Sequence, residues 1–456
     1  MDAVVSMSAQ KGSVAAPNRA SLGEALRIWA HVSVAGVGGP ALQIATMHRL
    51  LVEDRQWISE KRFYHALSYC IALRGPETQQ LAVYVGWLAN RTIGGIIAGG
   101  LFILPGAFCM MVLSIAYVTG AESQIGQAVI LGVKPAILAV MTEAILRFGR
   151  HVLRGRLMLA IAALAFIAAF LKIAFPIIVL GAALIGICAE LAGVPSSIRE
   201  EVSDQKHHEF SSHTPPSARH FVRSLATWLT LWLAPMIALL AIFGPQNIYT
   251  QIAFVFGKVA MMAIGGDFAV VVYAAQQAVD SYHWVSSSEM QDAIAMGEMV
   301  PGTIIIVTQF LGFITAYRDP GFLPPLVAGG LGGMLATWMT FAPCFLMIFV
   351  VAPYIDGLRS RTFLNSTLRS ITAAAVGMLV SLSVWFAIRT MFHHIEQVRY
   401  AGLTVDMPSF ATLDPWALTL FIAAAIAVLR FKFSAAVTLV TSSAVGMILL
   451  AVGLTG

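Results

Sequence analysis

The stretch that decides the fold is ALSYCIALRGPETQQLAVYVGW, Ala66 to Trp87. Its flanks are apolar enough for the interior of a lipid bilayer, yet its middle reads Arg74-Gly75-Pro76-Glu77-Thr78-Gln79-Gln80. A charge at the centre of a lone membrane helix costs about 2.5–3.5 kcal/mol on insertion scales. Such groups are tolerable where they face a watery, protein-lined cavity or one another. Proline has no N–H donor and disfavours a helical conformation in the residue before it, so the spacing predicts a break near residue 75. A second half-helix then starts at Pro76, with its free N–H groups and positive dipole end turned toward the break. An open helix N-terminus beside an arginine is an anion site.

The rest of the chain fits a membrane setting. Of 456 residues, 58% are hydrophobic and 11% charged, and the mean hydropathy is +0.80. A soluble domain carries about 25% charged residues, so the composition defines an all-α polytopic membrane protein. Thirteen apolar spans are predicted, at 26–46, 63–89, 93–118, 128–148, 157–174, 176–193, 223–243, 251–273, 289–315, 323–352, 366–390, 415–429 and 434–454. The run 157–193 is too long for one helix, and Lys172 and Pro176 offer a hairpin point. Residues 1–23 read as a disordered tail without the apolar core of a signal peptide. The segment 194–222 reads as a polar loop within linking helices at 151–250, and 391–456 as two C-terminal helices. Cys70, Cys109, Cys188 and Cys344 lie in apolar spans without a CxxC spacing, and no metal site or cofactor is expected. The net charge of +5 suits basic cytoplasmic loops better than a nucleic-acid partner.

The chain also repeats itself. GVGGPALQIATMHRLLVEDRQWISEKRFYHA aligns without a gap on AIGGDFAVVVYAAQQAVDSYHWVSSSEMQDA at an offset of 227. Gly38 falls on Gly265, Gly39 on Gly266, Trp57 on Trp284 and Gly75 on Gly302. Repeats at 24–150 and 251–390 are therefore expected, separated by an odd number of crossings and so opposite in topology. Inverted repeats with matched helix breaks are an architecture of secondary transporters, with the site at the repeat interface. Three devices recur. Gly38-Gly39-Pro40 matches Gly265-Gly266-Asp267, Gly75-Pro76 matches Pro301-Gly302-Thr303, and Leu104-Pro105 matches Ala342-Pro343 as a third pair of breaks. With the N-terminus in the cytoplasm and thirteen crossings, seventeen Lys and Arg fall inside and eight outside, with Arg74, Lys134 and Lys258 at membrane depth.

Single residues carry two readings each. Arg74 and Glu77 either neutralise one another or line a permeation site. Lys134 either snorkels at a helix end or joins that site, and Lys258 and Asp267 either act together or sit at different depths. Glu143 reads as an interface residue. Glu77, Asp267 and Glu298 are candidate proton carriers. No HExxH, GxSxG or clustered aspartate pair points to an intramembrane hydrolase, and the chain reads as a transporter rather than an enzyme.

At these motifs the sequence resembles the chromate ion transporter family. VGGPALQIATMHRLLVEDRQWIS, ALSYCIALRGPETQQLAVYVGW and GGIIAGGLFILPG resemble its first half, and QQAVDSYHWVS, MGEMVPGT and FAPCFLMIFVVAPY its second, over about residues 24–390. The resemblance implies a bacterial inner-membrane protein that exports chromate, with sulfate as competitor or counter-ion, driven by membrane energy. The family's PGP stands here as Arg74-Gly75-Pro76 and Pro301-Gly302-Thr303. Val37 and Ile264 replace the phenylalanine before each glycine pair, and Asp267 replaces a small residue. The substrate site is expected at Gly38, Gly39, Pro40, Arg74, Gly75, Pro76, Gln79, Gln80, Lys134, Lys258, Gly265, Gly266, Pro301, Gly302 and Thr303. The expected partners are the oxyanion, the bilayer and, as an open alternative, a second copy of the chain. A passive anion channel and a carrier of a different anion are the rival readings.

Overall fold

A computed structural model describes residues 21–35, 40–72, 76–120, 124–153, 155–192, 218–262, 267–351, 362–392, 394–400 and 403–452. Its first part comprises α1 (Leu22–Ala35), α2 (Pro40–His48), a π-turn (Arg49–Asp54), α3 (Glu60–Ala72) and α4 (Glu77–Gly120). α5 (Gln124–Val152) completes this part, and three linking helices follow: α6 (Arg156–Phe170), α7 (Phe175–Leu191) and α8 (Ala218–Phe243). The next part contains α9 (Ile248–Met262), α10 (Asp267–Ala275), a π-turn (Gln276–Ser281), α11 (Ser287–Met299), a 3-10 turn (Ile304–Ile306), α12 (Val307–Arg318) and α13 (Pro325–Val351). The chain then forms α14 (Thr362–Met391), the strands β1 (Ile395–Tyr400) and β2 (Leu403–Pro408), α15 (Pro415–Leu429) and α16 (Ala435–Ala451).

The predicted duplication has a counterpart in backbone detail. The bounds of α2, its π-turn and α3 recur in α10, its π-turn and α11 at an offset of 227 at both ends. Gln56 and His283, also 227 apart, both have positive φ, at 51° and 53°. The bond Trp57 N–H to Leu51 O, 2.8 Å, is matched by Trp284 N–H to Ala278 O, 2.8 Å.

One expectation is corrected. Spans 26–46, 63–89, 251–273 and 289–315 were read as helices that break but continue across the bilayer, whereas each doubles back as a hairpin. Tyr69 and Tyr84 are fifteen residues apart, about 22 Å along a straight helix, yet their ring centroids lie 5.7 Å apart. Lys258 and Tyr273 have the same separation in sequence, and Lys258 Nζ is 5.9 Å from the Tyr273 ring. At the hairpin bases, Arg55 pairs with Glu24 at 2.9 Å. Arg318 pairs with Glu289 and donates to Trp284 O at 2.8 Å. Apolarity and length are the same for a crossing helix and for two half-length helices side by side, so hydropathy does not separate the two.

The two hairpin pairs come from opposite faces. α4 turns at Asn90-Arg91, where φ/ψ leave the helical region, and its arms run antiparallel. The second arm, about 43 Å long, passes Pro301 with Gly106 and continues to Tyr117, which donates to Asp292 Oδ2 near the base of α11 at 2.9 Å. Gly86, Gly94 and Ala98 make the close crossing in the first hairpin, and Gly312, Gly332 and Ala336 make the same crossing between α12 and α13. Pro105 and Pro343, expected as breaks, instead sit inside α4 and α13, which continue through them. A proline costs a helix a ladder bond without ending it when neighbouring helices hold both sides.

The α6–α7 connection turns at Leu171–Ala174, with Lys172 at φ 59° and Pro176 in the first turn of α7, where the sequence places it. The antiparallel β1–β2 hairpin, Ile395 opposite Pro408 through Tyr400 opposite Leu403, was not anticipated. Residues 1–20 and 193–217, covering most of the predicted tail and polar loop, lie outside the described residues. Among the described residues four helices are long and apolar enough to cross a membrane by themselves, and six more apolar helices are shorter.

The hairpins predict a labelling pattern. In a chain with its native cysteines replaced by alanine, Arg55→Cys and Arg91→Cys are expected to react with an impermeant maleimide from one face and Tyr282→Cys from the other. Through-going helices at 26–46 and 63–89 would instead put positions 55 and 91 on opposite faces.

Candidate functional site

The hairpin tips converge. At the first, α4 opens after buried Pro76, and Gln80 N–H makes the first helical bond to Pro76 O at 2.9 Å. The N–H groups of Glu77, Thr78 and Gln79 thus precede the helical ladder. The side chains of Thr78, Gln79 and Gln80 are wholly buried, with 0% exposure. Thr78 Oγ1 and both amide atoms of Gln79 have no hydrogen-bond partner among the described residues. Burying such a group unsatisfied costs about 1–3 kcal/mol.

At the second tip, Val300 is extended, Gly302 has φ +112°, a region that side chains rarely adopt, and Thr303 is extended. Thr303 Oγ1 accepts from Ile305 N–H at 3.3 Å and donates to Asp267 Oδ2 at 2.5 Å. Asp267 is the first residue of α10, where the helix dipole favours a negative charge. Its other oxygen has no hydrogen-bond partner among the described residues. Across the repeats, Gln43 of α2 donates to Gly302 O at 2.6 Å. Glu77 lies within electrostatic reach of Asp267, and so does Glu298, which also faces Glu143 and Arg147. Cys344 of α13 lies against Gln80 near Asp267.

The sequence-predicted residues therefore separate into groups. Pro76, Glu77, Gln79, Gln80, Asp267, Glu298, Pro301, Gly302 and Thr303 belong to the tips. Gly38, Gly39, Arg74, Gly75, Gly265 and Gly266 lie outside the described residues, and Pro40 is described only as the start of α2. Lys134 is held elsewhere, 3.3 Å from Asp292 Oδ1 and donating to Ser288 Oγ at 2.7 Å. Lys258 is exposed beside Tyr273. Sequence reasoning missed Gln43, Thr78 and Asp292. Gln43 sits three residues after Pro40, one turn into a half-helix, and Asp292 is a carboxylate inside an apolar span; both signals were present.

The all-helical fold with its apolar spans defines a polytopic membrane protein, and its relatives are transport proteins and not enzymes. The chain belongs to the chromate transporter family, whose profile matches residues 23–187 and 250–449, two regions that also begin 227 residues apart. It is 27% identical over 378 residues to a chromate transport protein of Pseudomonas aeruginosa, covering 82% of each chain. It is 25% identical over 380 residues to one of Cupriavidus metallidurans, covering 83% of this chain and 86% of that one. A probable chromate transport protein of Synechococcus elongatus is 24% identical over 371 residues, with 80% and 84% covered. No solved structure matches the chain.

Proposed function

We propose that this protein is a secondary active transporter that exports a tetrahedral oxyanion, chromate first and sulfate as its relative, through the meeting point of the hairpin tips. The observation that carries this reading is the buried, unpartnered Gln79 and Thr78 beside the open N-terminus of α4. An oxyanion of four acceptor oxygens matches that donor set. Arg74, two residues before Pro76 in sequence, supplies positive charge, and the half-helices that begin at Pro40 and Asp267 add two more N-termini. Glu77, Asp267 and Glu298 hold negative charge close by, so their protonation changes the charge the anion meets. Alternating access follows as a rocking of one repeat against the other.

The corrected topology supports a cytoplasmic N-terminus in a bacterial inner membrane. Arg49, Arg55, Lys61 and Arg62 move to the face of the N-terminus. Among the described residues that face then carries fourteen Lys and Arg, and the opposite face only Lys172, Arg318, Arg389 and Arg399. Positive residues favour the cytoplasmic side.

Inverted membrane vesicles with labelled chromate and labelled sulfate test the proposal. Gradient-driven accumulation abolished by a protonophore is the expected result. Flux that survives collapse of the gradients identifies a channel, and movement of neither anion ends the oxyanion assignment. Asp267→Asn refines the test. Removing a negative charge within reach of a dianion is worth about 1–3 kcal/mol at an intermediate effective dielectric, so the half-saturation concentration for chromate is expected to fall roughly tenfold. An unchanged value would take Asp267 out of the anion's surroundings.

A further inference from the structure

A second polar centre lies apart from the tips, toward the far ends of helices that lead to them. Asp292 is a carboxylate of the half-helix α11 with 6% exposure, seven residues and about 10 Å of helix from its tip end at Met299. Lys134 of α5 lies 3.3 Å from its Oδ1, and Tyr117, from the far end of α4, donates to its Oδ2 at 2.9 Å. Lys134 also donates to exposed Ser288, so the cluster has a polar path toward the face on which the second hairpin pair is based. The charged neighbours are Glu289, on the same helix, and Arg318 of α12, which are paired with each other. Buried Asp292 and half-buried Lys134 thus form a discrete ion pair between three helices.

We propose that Asp292 is a proton-binding site that couples the proton gradient to anion movement. The argument is geometric. The pair ties α11, whose other end leads into the Pro301-Gly302-Thr303 tip, to α4 and α5 of the opposite half. One proton added to the Asp292 carboxylate gives the neutral acid, while Lys134 keeps its ammonium charge. The attraction across the three helices is then lost, and α11 is freed relative to α4. The carboxylate is buried, so its charge is held there by Lys134 and Tyr117, and the tie lasts only while that charge persists. The pair lies toward the face opposite the N-terminus, where a proton exchanged for an exported anion is taken up. This inference rests on the transport reading above and adds to it the site of coupling.

The test uses the full chain in proteoliposomes and separates two activities, exchange of labelled chromate for internal chromate and accumulation driven by an imposed proton gradient. Asp292→Asn is expected to retain exchange and to lose accumulation by about tenfold or more, within the range of coupling between sites. Asp292→Glu, which keeps a titratable carboxylate, is expected to recover accumulation. The double replacement Asp292→Asn with Lys134→Gln leaves no lone charge, and is expected to behave as Asp292→Asn if the single variant proves unstable. Accumulation by Asp292→Asn or by the double variant at the unaltered level overturns the inference. Loss of exchange together with accumulation in a monodisperse variant also overturns it, because the pair is then structural. Failure of the unaltered chain to exchange either chromate or sulfate instead removes the transport reading, and the inference with it.

Discussion

Arg74→Gln is expected to reduce chromate flux in inverted vesicles by about two orders of magnitude. The replacement keeps a polar side chain with two N–H donors, shortens it and removes one positive charge. Truncating one member of a desolvated charge pair costs about 2–5 kcal/mol, and each 1.4 kcal/mol is about tenfold in affinity. The other donors proposed for the anion, the N–H groups at the start of α4 and the side chains of Thr78 and Gln79, are neutral. They supply partial charge and direction but do not balance a dianion. Sulfate and chromate should lose flux together, since both are tetrahedral and doubly charged. Unchanged flux would exclude Arg74 from the site and return it to the role of neutralising Glu77.

The largest effect on folding is expected at the two glycine crossings. A Cβ on Gly86 would meet Ala98 Cβ at 2.6 Å and crowd the carbonyl of Gly94, while one on Gly312 would meet Ala336 Cβ at 2.6 Å and Gly332 O at 2.7 Å. These neighbours are backbone or short side chains and cannot swing away. Relief requires the helices to separate, and overpacking a tight site costs about 1–3 kcal/mol or more. Gly86→Leu and Gly312→Leu are each expected to abolish a monodisperse peak in detergent, or to lower the unfolding temperature by several degrees. Gly100→Leu and Gly330→Leu, where a Cβ meets nothing within 4 Å, should leave the profile unchanged. Equal behaviour of all four would mean that the crossings are not close in the folded protein.

Much of this architecture was legible in the residues. The offset of 227 held because the repeated motifs are local. The π-turns recur although they read RLLVED and QQAVDS and share only Val52 and Val279, each followed by a positive φ, at Gln56 and His283, and by the shared Trp57 and Trp284. The polarity of the tips was legible for a related reason, since Gln79, Gln80 and Thr303 are polar where a membrane span demands apolar residues. The direction of the chain after each break was not. A glycine-proline break permits both a kink and a reversal. The choice is made by remote contacts, such as Arg55 with Glu24 and Arg318 with Glu289, which periodicity does not encode. Lys134 shows the same limit. It stands out in the sequence as a charge within an apolar span, but its partner Asp292 stands 158 positions away.

The meeting of hairpins from the two halves also bears on the electrical work of transport. On the proposed reading a divalent anion crosses the whole membrane voltage by way of the tips, and it performs or receives about 4.6 kcal/mol of work per 100 mV. In a cell that is negative inside, export of a doubly charged oxyanion is favoured by that amount.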